Sequence, residues 1–189
     1  MNPNLLTGKL IRLVTEEPET MSQAFARWSR DSEYHRLLNY DPAYLWSVKK
    51  WKSWLEKDLE KETSPEFFFA IHTLGHDRLI GFIGLMDIEW NQGNAWVAIG
   101  LGEREDWGKG YGTDAMSLIL QYAFTELNLY RVSLGSFAYN SRAQRSYEKV
   151  GFILEGRQRQ LTQREGQRWD VLIMGILQPD WQEAQKPER

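Results

Sequence analysis

The run from Ala95 to Ala138 constrains the fold more than any other part of this chain. Ala95 to Leu101 reads as a strand, and a glycine-rich loop leads from it directly into the helix Tyr111 to Leu127, after which Arg131 to Ala138 reads as a second strand. Two strands joined through a helix form a right-handed parallel crossover. The other strands are set out for antiparallel pairing, so this unit sits inside a mostly antiparallel sheet. The crevice at its carboxyl end is where a cofactor belongs.

The flanking segments complete the order. Lys9 to Val14 is a first strand, and Pro18 and Thr20 signal a helix start before an amphipathic run, Met21 to Leu38, expected as one helix. A second helix spans Leu45 to Leu59, where Val48, Trp51, Leu55 and Leu59 recur at helical spacing and the tryptophans of the run are assigned to the core. Phe67 to Thr73 and Leu79 to Ile88 are strands separated by a Gly75-His76-Asp77 turn. Asn91-Gln92-Gly93-Asn94 then turns the chain into the Ala95 strand to complete a meander. Ser141 to Val150 is a short helix ended by Gly151, and Phe152 to Gln160 with Trp169 to Ile176 form a closing hairpin. The order is β-α-α-β-β-β-α-β-α-β-β. With no internal repeat and no Gly/Ser/Pro-rich linker, residues 1–189 are expected to form a single domain.

Composition narrows the chemistry. Lys and Arg number 23 against 26 Asp and Glu, a net charge of −3, and the pI is near 5.7. That balance disfavours nucleic acid as a partner and favours a cationic one. Cysteine is absent, which removes disulfides, thiolate metal sites and any cysteine acyl-enzyme. Met1 to Gly8 lacks a signal peptide's basic and apolar regions, and no stretch approaches the ~20 apolar residues of a membrane span. A cytoplasmic protein without membrane contact is expected. His35, His72 and His76 share no ligand spacing, so no metal is expected. Arg157, Arg159, Arg164 and Arg168 read as a solvated hairpin face, beside which a homodimer contact would lie.

The loop Gly108-Lys109-Gly110-Tyr111-Gly112-Thr113 presents helix-start N–H groups with nothing bulky in front of them, an arrangement suited to phosphate oxygens. A Walker P-loop needs four residues between its glycines and then Lys-Ser/Thr; Gly102 and Gly108 enclose five, and Gly110 follows Lys109. The dinucleotide fingerprint needs G-x-G-x-x-G, and Thr113 stands where its third glycine would be. A glycine loop after an antiparallel meander matches a pyrophosphate pocket for coenzyme A.

Trp107-Gly108-Lys109-Gly110-Tyr111-Gly112-Thr113-Asp114-Ala115, Asn140-Ser141-Arg142-Ala143 and Ser146-Tyr147-Glu148-Lys149-Val150-Gly151-Phe152 together resemble the GNAT-superfamily N-acetyltransferases. The resemblance spans nearly the whole chain and is greatest to the branch holding ribosomal-protein N-terminal and polyamine acetyltransferases. One departure is Glu105, where the family often has Arg or Gln. The resemblance implies an α/β, or mixed α+β, fold: a twisted sheet of about seven strands, mostly antiparallel, with a parallel central β-α-β crossover and flanking helices. It also implies that Gly108, Lys109, Gly110, Tyr111, Gly112 and Thr113 hold acetyl-CoA, that Ile99 and Leu101 offer backbone groups to its pantetheine, and that Asn140 and Ser146 contact it. Tyr147 would give a proton or hydrogen bond to the departing thiolate.

Transfer to an amine needs the neutral nucleophile, whereas an alkylamine has a pKa of about 10.4, so its proton must be accepted. Glu89, at the end of the central meander strand, is the expected base, directly or through a water; Asp87, two residues earlier, is the other candidate. The expected activity is direct transfer of acetyl from acetyl-CoA to a primary amine: a protein N-terminus, a polyamine or another small amine. The alternative is a noncatalytic acyl-CoA-binding sensor or module.

Overall fold

Seven strands form one mixed sheet in the spatial order β1-β2-β3-β4-β5-β7-β6, comprising β1 (Ile11–Val14), β2 (Phe67–Thr73), β3 (Leu79–Glu89), β4 (Asn94–Leu101), β5 (Arg131–Phe137), β6 (Ile153–Arg164) and β7 (Gln167–Leu177). Among the described residues six helices surround it: α1 (Pro18–Trp28), α2 (Ser32–Leu38), α3 (Val48–Leu59), α4 (Tyr111–Thr125), α5 (Ser141–Lys149) and α6 (Gln178–Ala184). This computed structural model describes residues 4–59 and 67–186, so Met1 to Pro3 and the side chain of Leu59, both used in the sequence reading, lie outside it. The β4–β5 pair is parallel and every other neighbouring pair antiparallel, as the crossover argument requires.

α4 buries Ala115, Met116, Leu118, Ile119, Leu120, Ala123 and Phe124, more than one stripe's worth, because it packs against the sheet's central strands. Ile83 and Leu85 of β3, Val97 of β4, and Val132 and Leu134 of β5 join it in the larger core. A second core forms where Met21, Ala24, Phe25 and Trp28, at the i, i+3, i+4, i+7 spacing of one helix face, meet Trp51 and Leu55 of α3 and Ala70 of β2. Trp51 is buried as assigned, whereas Trp54 of the same helix is 41% exposed, against the expectation for the tryptophans of this run. Phe25 lies at its centre, with ring centroids 5.1 Å from Trp51 and 5.4 Å from Phe82, and burying such a ring stabilises the fold by roughly 1.5–3 kcal/mol.

Three expectations change. The run Met21 to Leu38 is two helices: α1 ends at Ser29, and Asp31 caps α2 by accepting the Glu33 N–H at 3.0 Å. A short polar Ser29-Arg30-Asp31-Ser32 stretch thus outweighs the continuing apolar period. α6 was absent from the expected order; a proline in its first turn starts it. The closing hairpin is also longer than expected, turning tightly at Glu165 (φ 52°) and Gly166 (φ 75°), the two left-handed positions of a type I′ turn.

The segment before the glycine loop is anchored by charge. Asp106 is fully buried in a single 3₁₀ turn, Arg104–Asp106, and Arg78 of the β2–β3 turn holds its carboxylate through Nη1 at 2.9 Å and Nη2 at 2.5 Å. Arg78→Met leaves that carboxylate buried and unpaired. It should cost about 2–3 kcal/mol, below the range for fully buried pairs because Arg78 is itself 44% exposed. Urea midpoints of the two proteins measure this, and an unchanged midpoint would mean that the pair does not hold the turn.

Candidate active site

The parallel pair is short. β4 and β5 are in register only from Asn94–Arg131 to Trp96–Ser133, after which the two strands part. Hydrogen-bonded residues alternate along an antiparallel ladder. Gly102 N–H donates to Ile80 O on the β3 side at 2.9 Å, so Leu101 and Ile99 turn their backbone groups toward the opened β5 side. The Leu101 carbonyl accepts Trp107 Nε1–H at 2.9 Å, which leaves the Ile99 pair facing the gap with no strand beside it.

The glycine loop closes one end of the gap. Gly108 (φ 77°) and Gly110 (φ 89°) adopt left-handed conformations open to glycine, and Gly110 is the N-cap of α4. From Gly108 to Thr113 no backbone N–H donates to a protein acceptor among the described residues. Asp114 N–H is the first to do so, to Gly110 O at 3.0 Å. The Asp114 carboxylate has a different task, accepting the N–H groups of Lys9, Leu10 and Ile11 at 3.2, 2.7 and 3.1 Å and so tying β1 to the first turn of α4. Six consecutive free donors at a helix start form an anion site.

α5 makes the opposite wall. Asn140 caps it, accepting the Ala143 N–H at 3.2 Å, and Ser146 Oγ lies 2.7 Å from Thr113 Oγ1, joining α5 to α4. Between the walls is a cleft of about 370 Å³. Ile99, Leu101, Gly108, Gly110, Gly112, Thr113, Asn140, Ser146 and Tyr147 all line it, although they come from four separate stretches of chain. Tyr147 is part-buried against the larger core, with Phe152 6.1 Å from its ring. Desolvation pushes its hydroxyl up to about 12, so it is an O–H donor across the neutral range.

Four residues expected at the site fall elsewhere. Tyr111 packs into the core and lines a separate depression beside His76 and Arg78, and Lys109 is exposed outside the cleft lining; only their backbone N–H groups belong to the loop site. Glu89 is exposed and pairs in register with Asn94, its Oε2 3.5 Å from Asn94 Nδ2. That is the start of β4, whereas the cleft lies at its end, about 17 Å further at strand rise between Asn94 and Ile99. Asp87 is exposed within the Met86/Glu89 bulge, with φ 50°. Neither carboxylate joins Tyr147, because the bulge and the direction of β4 carry them to the closed end of the parallel pair. Among the described residues no carboxylate lines the cleft.

Other lining residues went unanticipated: Tyr34, Leu37 and Leu38 of α2, and Trp107. α2 is held there because Arg104, next to the loop, grips its first turn through Asp31 at 2.5 Å and Glu33 at 2.7 Å. Arg164, read as solvated, instead donates to the carbonyls of Asn39 (2.8 Å) and Asp41 (3.2 Å), while Arg36 pairs with Glu165 at 2.7 Å. The hairpin tip is thereby clasped to the end of α2. Among the described residues no group of three or more metal-type ligands occurs, and no helix is long and apolar enough to cross a membrane.

A profile described as an acetyltransferase (GNAT) domain matches residues 10–153. A Bacillus subtilis protein named "Probable N-acetyltransferase YjcK" is 34% identical over 134 residues, 70% of each chain. The spermidine N(1)-acetyltransferase of Vibrio cholerae is 34% identical over 100 residues, covering 53% of this chain and 57% of that one. Among solved structures, the Vibrio cholerae spermidine N-acetyltransferase in complex with CoA and spermine superimposes with a TM-score of 0.79 at 24% identity, over 91% of this chain and 98% of the other.

Proposed function

Because the chain belongs to the acetyltransferase (GNAT) domain family, we propose that it transfers acetyl from acetyl-CoA to a primary amine in the cleft between β4 and α5, with a polyamine as the acceptor class. The observation that carries this reading is the run of six unpaired N–H groups, Gly108 to Thr113, at the rim of a cleft that Tyr147 lines. These donors, with the positive end of α4 behind them, fit the diphosphate of coenzyme A, and among the described residues no lining carboxylate opposes it. The thioester supplies an acetyl group activated toward amines.

The chain's residues do the rest. Ile99 offers its N–H and C=O to the pantetheine amides along the opened edge of β4. Asn140 holds the start of α5 in position and contacts the pantetheine, with Ser146 beside it. Tyr147 donates its hydroxyl hydrogen to the sulfur as the carbon–sulfur bond breaks, where negative charge develops. The proton given up by the attacking nitrogen returns through water to the Tyr147 oxygen, so that the products are the amide and the free thiol. Support for a polyamine comes from the similarity to the spermidine N(1)-acetyltransferase of Vibrio cholerae and from the net charge of −3, which favours cationic acceptors.

With no cysteine to carry the acetyl group, transfer is direct, and both substrates occupy the enzyme together. Initial rates with acetyl-CoA and spermidine varied together should give intersecting double-reciprocal lines. Parallel lines, with acetylated protein accumulating when the amine is omitted, would overturn the direct route.

A further inference from the structure

The α5 wall of the cleft carries three cations, Arg142, Arg145 and Lys149, whose spacing of three and four residues sets them along one helical stripe. Among the described residues none of the three has a carboxylate partner, whereas Arg78, Arg104 and Arg131 each hold one. Glu33, the acidic group whose charge acts on Arg142, is already engaged by Arg104 at 2.7 Å. The Arg142 guanidinium lies over the Trp107 ring at 4.0 Å, beside the glycine loop. Three like charges on one wall of a cleft that no described carboxylate lines repel one another, and an anionic ligand relieves that repulsion.

The loop amides already account for a diphosphate. Coenzyme A carries one further phosphate, on the ribose 3′ oxygen, with about two negative charges near neutral pH. We propose that Arg142, Arg145 and Lys149 form a subsite for this 3′-phosphate, so that the protein discriminates coenzyme A from its 3′-dephospho form. The inference rests on the cofactor reading above and adds to it the part of the cofactor that the glycine loop does not explain. Arg142 is the inner member, held against Trp107, while Arg145 and Lys149 are exposed along the rim, so their pull on the phosphate should weaken as salt rises.

Calorimetric titration of the purified protein with coenzyme A and with 3′-dephospho-coenzyme A, at low salt, tests this. The wild-type protein should bind the dephospho form at least about tenfold more weakly, the effect of one charge-assisted contact. The double variant Arg145→Gln/Lys149→Gln, altered only at exposed positions, should lose about tenfold for coenzyme A and less than about twofold for the dephospho form. Equal wild-type affinities for the two ligands would remove the subsite while leaving the glycine-loop site intact. An equal loss of both ligands in the variant would also overturn it, by assigning these cations to the diphosphate. Failure of the wild-type protein to bind either ligand would remove the cofactor reading itself and the subsite with it.

Discussion

Replacing Tyr147 by phenylalanine is expected to lower kcat about 100-fold, the lower end for one general acid, while the Kd for acetyl-CoA and the melting temperature barely move. The ring packs against the core near Phe152, and phenylalanine keeps that packing. Only the O–H is lost, and its interaction with the sulfur strengthens in the transition state, so the loss appears in kcat rather than in binding. Tyr147→Ala should differ in kind, costing about 3 kcal/mol of stability, the lower end for a truncated aromatic because the ring is part-buried. Because burial holds the hydroxyl near 12 rather than 10, any alkaline loss of rate that belongs to Tyr147 should fall near pH 12. Full activity in the phenylalanine variant would reduce Tyr147 to a packing residue.

Gly112→Asp should weaken acetyl-CoA binding by at least about 100-fold in a protein that still folds. A Cβ at this position meets Leu101 Cδ1 at 3.6 Å, Ile99 Cδ1 at 3.9 Å and Ser146 Oγ at 4.0 Å, which is ordinary contact. An aspartate in the first turn of α4 is also favourable to the helix. The fold therefore tolerates the change, while a carboxylate stands where the diphosphate is to bind. Two unit charges about 4 Å apart near a protein surface repel by about 4 kcal/mol, which exceeds the factor stated. Gly110 is the poorer place for this test, since its φ of 89° strains any side chain, and a folding defect there would imitate a binding defect. Gly112→Ala separates bulk from charge and should lose only a fewfold. Wild-type affinity in folded Gly112→Asp would sink the loop assignment.

Local signals served well where one residue type decides the backbone. Gly108 and Gly110 announced the loop because left-handed positions before a helix select glycine, and the strand–helix–strand run fixed the one parallel pair. The division of Met21 to Leu38 was also within reach, since Asp31 is a cap residue at the break. The shape of the cleft was not. Its lining depends on where β4 and β5 part, a long-range property with no local signature, and on the ion pairs from Arg104 that bring Tyr34 and Leu38 to its edge. Glu89 shows the same limit. A strand-end carboxylate in a meander carries no mark of which end of the next strand it will meet, and register with Asn94 set it at the closed end. Arg164 looked solvated by composition and was claimed by carbonyls 125 residues earlier in the chain.

Direct acetyl transfer to an amine is the chemistry that this cleft is proposed to perform. The most direct measurement is mass spectrometry of the amine after incubation of the purified protein with acetyl-CoA and spermidine, run beside Gly112→Asp, with released coenzyme A quantified. The expected result is N-acetylspermidine formed in step with coenzyme A release by the wild-type protein, and neither above background in the variant. Tight binding of acetyl-CoA with no acetylated amine, across spermidine and a panel of other primary amines and N-terminal peptides, would contradict the account and leave an acyl-CoA-binding module in its place.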